Sequence, residues 1–281
     1  MLKKEMPNGI VLYEGKSRID GKPIVAILTG FKKGSNQKTG KMLQVWIMRS
    51  DIHPHDAQNN GEDFSICGDC THRKTLWKTC YVNLMRGPIG VYNRYKKGIY
   101  PKVNKKHLEL FKDKTIRWGA YGDPCAIPLR IIKKYTNVSR GCTGYTQQWN
   151  TNKNNGYKYY VMASVKSGLG YYDWYHKAQN RGWRTFRTTT LDDNVVMDNE
   201  SICFASKEGG QVTNCLNCLS CNGLSSIDNK NKVVLMHGSP AQIQRFHKGV
   251  SLMKNKKKYK TNIQSLLNTQ KKSVKSRKKV G

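Results

Sequence analysis

Short apolar runs alternate with turn-forming residues over the first fifty residues of the chain. Apolar segments at 10–13, 24–28 and 42–48 are separated by Gly, Lys and Asn. Runs of this length, bounded by turn residues, are typical of β-strands. We therefore predict three short strands in this region.

Beyond residue 87, helical and strand-like segments alternate. Pro88 suits the first turn of a helix that would end before Gly98. Further helices are predicted at 104–112, 127–135 and 171–181. Strands are predicted at 115–121, 141–149, 159–164, 183–187, 201–205 and 233–237.

Repeated strand–loop–helix units predict an α/β fold with parallel strands and crossover helices. We expect a barrel or partial barrel over about 115–240, with cysteine-rich metal-binding loops and a basic C-terminal tail. The carboxyl ends of parallel strands carry the site in such folds. Polar residues near these ends are Asp123, Tyr145, Ser164, Arg187, Ser206 and His237.

One domain is predicted at 1–240, followed by a flexible basic tail at 241–281. Residues 254–281 hold eleven Lys or Arg and no acid. Such a run often docks on nucleic acid, although a solubilising tail without a partner is the alternative. The predicted nucleic-acid contacts are Lys256, Lys257, Lys258, Lys271, Lys272, Arg277, Lys278 and Lys279.

The net charge of +32 comes from 50 Lys and Arg against 18 Asp and Glu. A domain this basic favours an anionic partner, which is nucleic acid, an anionic membrane or a phosphorylated small molecule. Compositional drift toward Lys and Asn is the competing explanation. With no apolar run long enough for a signal sequence or a membrane span, we predict a cytoplasmic protein without a membrane partner. The sequence does not fix its oligomeric state.

Nine cysteines in a reducing compartment favour metal binding over disulfides. The first cysteine group is Cys67, Cys70 and Cys80 (residues 67–80). A Cys-x2-Cys turn directs two thiolates to one metal, and Gly68 permits the turn. Asp69 or His72 is the candidate fourth ligand, and an open position is the alternative.

The second cysteine group is Cys203, Cys215, Cys218 and Cys221 (residues 203–221). Its Cys-x2-Cys-x2-Cys run matches the first three ligands of the bacterial ferredoxin pattern, without the Cys-Pro that follows there. Four thiolates suit a [4Fe–4S] cluster or Zn²⁺. A mixed zinc ribbon built from both groups stays open as well. Cys125 and Cys142 stand alone and are predicted to be buried free thiols.

Other polar residues suggest a pocket beside a cluster. Asp123, Arg184 and Glu208 are the candidate catalytic residues, if the protein is an enzyme. Tyr145, Ser164 and Ser206 are candidate cofactor-binding residues. His53 and His55 allow a rolling-circle-type nuclease with a Tyr nucleophile, although Pro54 fits poorly in a strand.

Together, several of these segments resemble a family of uncharacterised bacteriophage proteins over about residues 10–240. The matching segments are Cys67-Gly-Asp-Cys, Cys80-Tyr-Val-Asn, Gly119-Ala-Tyr-Gly-Asp-Pro, Thr143-Gly-Tyr-Thr, Met162-Ala-Ser-Val, Gly182-Trp-Arg-Thr-Phe-Arg and Ala205-Ser-x-Glu-Gly with the later cysteine run. The resemblance implies a phage protein in the host cytoplasm and no particular activity.

The chain is also distantly similar to phage proteins with radical-SAM-like barrels. Those enzymes hold a [4Fe–4S] cluster by three cysteines and leave one iron for S-adenosylmethionine. The resemblance implies that the first cysteine group holds such a cluster and that the second cysteine group holds an auxiliary cluster. The spacing here is two and then nine residues, whereas the radical-SAM pattern is Cys-x3-Cys-x2-Cys.

We therefore expect an iron–sulfur protein acting on or near nucleic acid. A non-catalytic zinc protein that binds nucleic acid is the alternative.

Overall fold

The chain folds around one large mixed sheet of short strands. The computed structural model describes residues 6–32, 37–166, 172–190, 196–197, 199–207, 209–225 and 230–254. The strands are β1 (Gly9–Lys16), β2 (Pro23–Thr29), β3 (Leu43–Arg49), β4 (Thr115–Tyr121), β5 (Gly141–Thr146), β6 (Met162–Lys166), β7 (Thr185–Thr189), β8 (Glu200–Ile202) and β9 (Asn231–Leu235).

Helices of two kinds connect the strands. The α-helices are α1 (Pro54–Asn60), α2 (Phe64–Cys67), α3 (Pro88–Lys96), α4 (Leu129–Asn137), α5 (Tyr172–Asn180), α6 (Cys215–Cys218) and α7 (Pro240–Lys254). The 3-10 segments are Leu84–Arg86, Lys105–Phe111, Pro124–Ala126, Asn152–Tyr159 and Gly223–Ser225.

The sheet has nine strands in the order β1-β2-β3-β4-β5-β6-β7-β9-β8. The first three strands pair antiparallel, and every later pair is parallel. The predicted α/β class with a mostly parallel sheet is therefore confirmed. Within the described ranges, no pairing joins β1 to β8, so closure into a barrel is not observed.

Each predicted strand has a counterpart, but several bounds differ. The strand predicted at 141–149 ends at Thr146, because the next residues turn away to bond with a carboxylate described below. The strand predicted at 159–164 is displaced to β6, because the 3-10 segment Asn152–Tyr159 occupies its first residue. The helix predicted at 104–112 is also of the 3-10 type.

The two faces of the parallel strands pack against different partners. On β6, Ala163 and Val165 belong to the main core, together with Tyr175 and Ala178 of α5. Met162, on the opposite face, packs in a second cluster that contains cysteines. Since strand side chains alternate between faces, helices cover one side and cysteine-bearing loops cover the other.

Folded structure continues past the predicted domain boundary at residue 240. Helix α7 begins with a capping box in which Ser239 and Gln242 exchange hydrogen bonds. Ile243, Phe246 and Val250 of this helix pack with Trp77. The Ser-x-x-Gln signal, which precedes apolar residues at helical spacing, marks the start of this helix in the sequence. None of the described helices is long and apolar enough to cross a membrane.

A buried ion pair fixes the far end of the sheet. Arg187 of β7 donates to both carboxylate oxygens of Glu200 at 2.9 and 2.6 Å. The side chains are 3% and 0% exposed. Because removal of one partner leaves an uncompensated buried charge, this pair is sensitive to substitution.

We predict that Glu200→Gln lowers the free energy of unfolding by about 3 kcal/mol, because Arg187 then lacks its counter-ion. Urea denaturation of both proteins measures the difference. The control is Lys102→Ala, which removes an exposed pair with Glu14 and should change stability by less than about 1 kcal/mol. Equal effects of the two substitutions would contradict this assignment.

Candidate functional site

The first cysteine group lies on a turn after α2. Gly68 has a φ of 52°, in the left-handed region, and the Cys70 amide donates to the Cys67 carbonyl at 3.2 Å. Burial raises the pKa of the Cys67 thiol well above its ordinary value, and Asp63, Cys70 and Cys80 raise it further. The Cys70 and Cys80 thiols are therefore close enough to Cys67 to affect its pKa.

A second buried ion pair holds this turn in shape. The Arg73 guanidinium donates to the Asp63 carboxylate at 2.9 and 2.5 Å. It also donates to the carbonyls of Gly61 at 2.6 Å and Gly68 at 3.4 Å. Arg73 is only 2% exposed. Its guanidinium therefore stabilises the cysteine loop from within by bonding to residues on both sides of α2.

The first cysteine group sits at the carboxyl edge of the parallel strands. The Asp123 amide, just past β4, donates to the Ile66 carbonyl at 2.6 Å. Gln148, just past β5, donates from Nε2 to the Cys67 carbonyl at 3.2 Å. These contacts attach the loop to two neighbouring strand ends, which is where ligands bind in parallel α/β folds.

Asp123, a predicted catalytic residue, is buried at this edge, where its carboxylate bonds to residues that follow β4 and β5. Its carboxylate accepts from the Thr146 hydroxyl at 2.7 Å, from the Gln147 amide at 2.7 Å and from the Cys125 amide at 2.9 Å. Burial raises the pKa of Asp123 to about 6, against the lowering effect of these hydrogen bonds. The carboxylate thus ties β4 to β5 and titrates in an accessible pH range.

Helix α7 packs directly on the first cysteine group's loop. Gln242 donates to the Cys80 carbonyl at 3.1 Å, and Arg245 donates to the Lys78 carbonyl at 3.1 Å. Phe246 stacks on His72, with centroids 6.0 Å apart and planes 2° apart. The His72 Nδ1 lies 2.7 Å from the Thr79 hydroxyl. His72, a candidate fourth ligand, therefore takes part in the contact with α7.

The second cysteine group is anchored by three backbone hydrogen bonds. The Cys203 amide donates to Val233 at 2.8 Å, and the Cys215 amide donates to Lys38 at 2.8 Å. The Cys221 carbonyl accepts from the Gly144 amide at 3.0 Å. Separate stretches of the chain are thereby brought to one face of the sheet.

The thiols of the second group interact with one another. Burial raises the pKa of the Cys221 thiol to about 12. A hydrogen bond from Tyr145 lowers it, whereas the other three thiols of the group raise it. Burial also raises the pKa of Cys215, while Arg117 and Lys38 act in the opposite direction. Nearby cations thus favour negative charge on this group.

Apolar side chains of the sheet pack against these cysteines. Met162, Phe186 and Val234 form a cluster with Cys203 and Cys221. The predicted cofactor-binding residue Tyr145 joins this cluster, its ring centroid 4.1 Å from that of Phe186. Tyr145 therefore lies against the second cysteine group.

All nine cysteines are free thiols. Across the described ranges, no three or more Cys, His, Asp and Glu side chains are arranged as a set that holds a metal ion. The thiols of each group therefore interact without forming closed ligand geometry. Cys125 and Cys142 are buried in the main core. Cys125 accepts from Thr146 at 3.2 Å, and Cys142 donates to the Tyr160 carbonyl at 3.3 Å.

The remaining predicted site residues are dispersed. Arg184 donates to the carbonyls of Gly223 and Lys230 at 2.7 and 2.5 Å, and so supports the loop after the second cysteine group. The Ser206 hydroxyl donates to the Cys203 carbonyl at 2.7 Å within a tight turn. Glu208 and the predicted nucleic-acid contacts at 256–279 lie outside the described residues.

A cavity of about 150 Å³ opens at the carboxyl ends of β5 and β6, beside the first cysteine group. Asp69, residues 147–151, Ser164, Val165 and Trp174 line it. Ser164, a predicted cofactor-binding residue, accepts from Gln147 Nε2 at 2.7 Å. Gln147 and Gln148 lie in the strand predicted at 141–149, at the carboxyl end where parallel α/β folds place their sites. No sequence signal marked Trp174 as part of a site.

We predict that Asp123 makes the free energy of unfolding depend on pH. The pKa is near 3.9 in an unfolded chain and about 6 in the fold. The stabilisation is therefore complete below about pH 4 and is lost as the pH rises through about 6. The difference in pKa corresponds to about 3 kcal/mol.

Asp123→Asn removes this titration. Its free energy of unfolding, measured with urea at pH 4.5 and 8, should fall less with rising pH than that of the unchanged protein. Asp113→Asn is the control, since Asp113 is exposed. If the free energy of unfolding changed equally with pH in Asp123→Asn and in the unchanged protein, the pKa of Asp123 would not be raised by the fold.

Comparisons with protein-family models, with curated proteins and with solved structures found no match to this chain.

Proposed function

We propose that the chain is a phage-type metalloprotein that binds iron–sulfur clusters at its two cysteine groups and acts on or near nucleic acid. The observation that carries the proposal is the electrostatic interaction of the buried Cys221 thiol with those of Cys203, Cys215 and Cys218. Four interacting thiols in low-dielectric surroundings repel one another once ionised, and a bound cation removes that repulsion.

The donor chemistry of the second cysteine group fits a four-thiolate cluster. A thiolate cluster carries net negative charge, and Arg117 and Lys38 lie close enough to lower the pKa of Cys215. Tyr145 donates a hydrogen bond to Cys221, which is the kind of support that orients metal ligands. A cysteine thiol turns about one side-chain torsion, so its sulfur can change position without movement of the backbone.

The first cysteine group fits a three-thiolate site. Cys67, Cys70 and Cys80 would hold the cluster, and the Val82 amide donates to the Cys80 sulfur. An iron–sulfur cluster with an open position supplies electron transfer or substrate activation when bound. The radical-SAM-like assignment, with S-adenosylmethionine and a partial barrel, remains a proposal that rests on three thiols at a sheet edge.

Zinc is the second candidate metal, since four thiolates also suit Zn²⁺. The separation of the two sets favours two independent sites over one mixed ribbon: the thiols that affect Cys67 are Cys70 and Cys80, and those that affect Cys221 belong to the second group.

The nuclease alternative lacks comparable support. His53 caps α1 by accepting from the His55 amide at 3.3 Å and packs edge-on against Tyr92.

Charge supports the nucleic-acid part of the proposal. The net charge is +32, and the basic residues continue through the C-terminal segment. Phosphate backbones bind such surfaces through release of counter-ions. A reducing cytoplasm, that of the host for a phage protein, is the proposed location because it keeps seven ligand thiols available.

We predict that the anaerobically purified protein is brown and contains about four iron and four sulfide per cysteine group. Substituting Cys67 and Cys70 with Ser should remove about half of the iron and sulfide. Substituting Cys215 and Cys218 with Ser should remove the other half. Cys142→Ser is the matched control, since Cys142 belongs to neither group, and it should keep the full content. Elemental and sulfide analysis measures the result.

A colourless protein with one zinc per group would favour the second candidate metal. A protein that binds neither metal, or a Cys142→Ser variant that loses as much metal as the paired variants, would contradict the proposal.

We predict that a chain ending at Lys254, which lacks ten Lys or Arg, binds DNA more weakly and with a shallower dependence on salt. Each phosphate contact contributes to that slope. Fluorescence anisotropy with a labelled duplex between 50 and 300 mM salt measures both quantities. Unchanged affinity and slope in a shortened protein that keeps its metal would show that the segment makes no phosphate contacts.

A further inference from the structure

An exposed tryptophan stands at the cavity beside the first cysteine group. Trp174 of α5 is 41% exposed, although tryptophan is usually well buried. Its ring meets Trp149 edge-on, with centroids 5.4 Å apart and planes at 89°. Trp149 is 2% exposed, and its Nε1 donates to the Ser164 carbonyl at 3.1 Å. One tryptophan thus anchors the other, which presents an aromatic surface at the mouth.

The cavity also has a wall of amides and hydroxyls. Gln147 is held by its hydrogen bond to Ser164 at 2.7 Å, and Gln148 by its bond to Cys67 at 3.2 Å. Asn150 lies between them and the mouth-lining Thr151. Side-chain amides present donors and acceptors together, and this combination matches the hydrogen-bonding edge of a nucleobase.

Basic residues lie near the cavity lining. Lys177 lies over the Trp174 ring at 5.6 Å, and Arg181 donates to Asn152, the residue after Thr151, at 2.7 Å. Lys153 is exposed as well, and its Nζ donates to the Arg18 carbonyl at 3.3 Å. Asp69 and Asp173 are acids of the same region and partly offset this charge. Aromatic surfaces flanked by basic residues are the usual platform for single-stranded nucleic acid.

We propose that this cavity binds a nucleobase, which stacks on Trp174 while its edge meets the amides of residues 147–150. Lys177 and Arg181 would contact the attached phosphates. The base would lie beside the loop of Cys67 and Cys70, because Asp69 and Gln148 belong both to the cavity and to that loop's surroundings. This inference deepens the proposed function and rests on its nucleic-acid part.

Binding of a labelled 20-nucleotide single strand to the full-length protein, followed by fluorescence anisotropy, tests the proposal. Nucleoside monophosphates, titrated by calorimetry, distinguish a free nucleotide from a strand as the source of the base. Trp174→Ala should weaken binding about tenfold or more, in line with the usual effect of removing one stacked base contact. Thr151→Trp, which adds bulk to the cavity lining and keeps Trp174, should weaken it similarly.

Lys105→Ala is the control, since Lys105 is exposed on the 3-10 segment near β1 and should bind nearly as the unchanged protein does. Loss confined to the monophosphate arm would assign the cavity to free nucleotides and still support a nucleobase site. Unchanged binding in both cavity variants, or no binding of either probe by the unchanged protein, would overturn the proposal. Metal content is measured in every sample. If the protein keeps its metal but does not bind the probes at the cavity, the nucleobase proposal fails and the metal proposal is unaffected.

Discussion

Thiols held close together in surroundings that disfavour their charge are the constraint on which the rest of the molecule depends. Burial raises the pKa of Cys67 and Cys221, and neighbouring thiols raise each further. Such clusters are stable as neutral thiols or as ligands of a cation, but not as bare thiolates. Cations near Cys215 and a tyrosine donor at Cys221 favour thiolate charge, although burial raises the pKa of both thiols on balance.

The sheet gives the two cysteine groups different surroundings. The first group is attached to the carboxyl ends of β4 and β5, beside a cavity and beneath α7. The second lies against a sheet face formed by β5, β6, β7 and β9, among apolar side chains. The first cysteine group therefore borders a cavity, whereas Cys203 and Cys221 of the second group are buried against the sheet.

Much of the fold could be predicted from the sequence because its strands are short apolar runs between turn residues. The parallel order followed from the alternation of strands with helical segments. The Cys-x2-Cys spacing predicts that Cys67 and Cys70 share one turn, and that turn is observed. Cys203 was assigned to the second cysteine group from the sequence; in the fold its amide donates to Val233 of β9, which is a long-range contact.

Features that depend on tertiary contacts escaped prediction. Asp123 looked like a pocket acid, but its oxygens are occupied by amides and a hydroxyl of neighbouring strands. Arg184 and Arg187 carry equal charge in the sequence, yet one binds loop carbonyls and the other pairs with Glu200. The role of Trp174 depends on Trp149, which is 25 residues away in the chain and adjacent only after folding.

Anomalous diffraction from crystals of the anaerobically purified protein tests the central claim most directly. Data collected at the iron and zinc absorption edges locate each metal and identify it. We expect two separate anomalous peaks, one among the sulfurs of Cys67, Cys70 and Cys80 and one among those of the second cysteine group. Maps without a peak at either group, or with these cysteines paired in disulfides, would contradict the account.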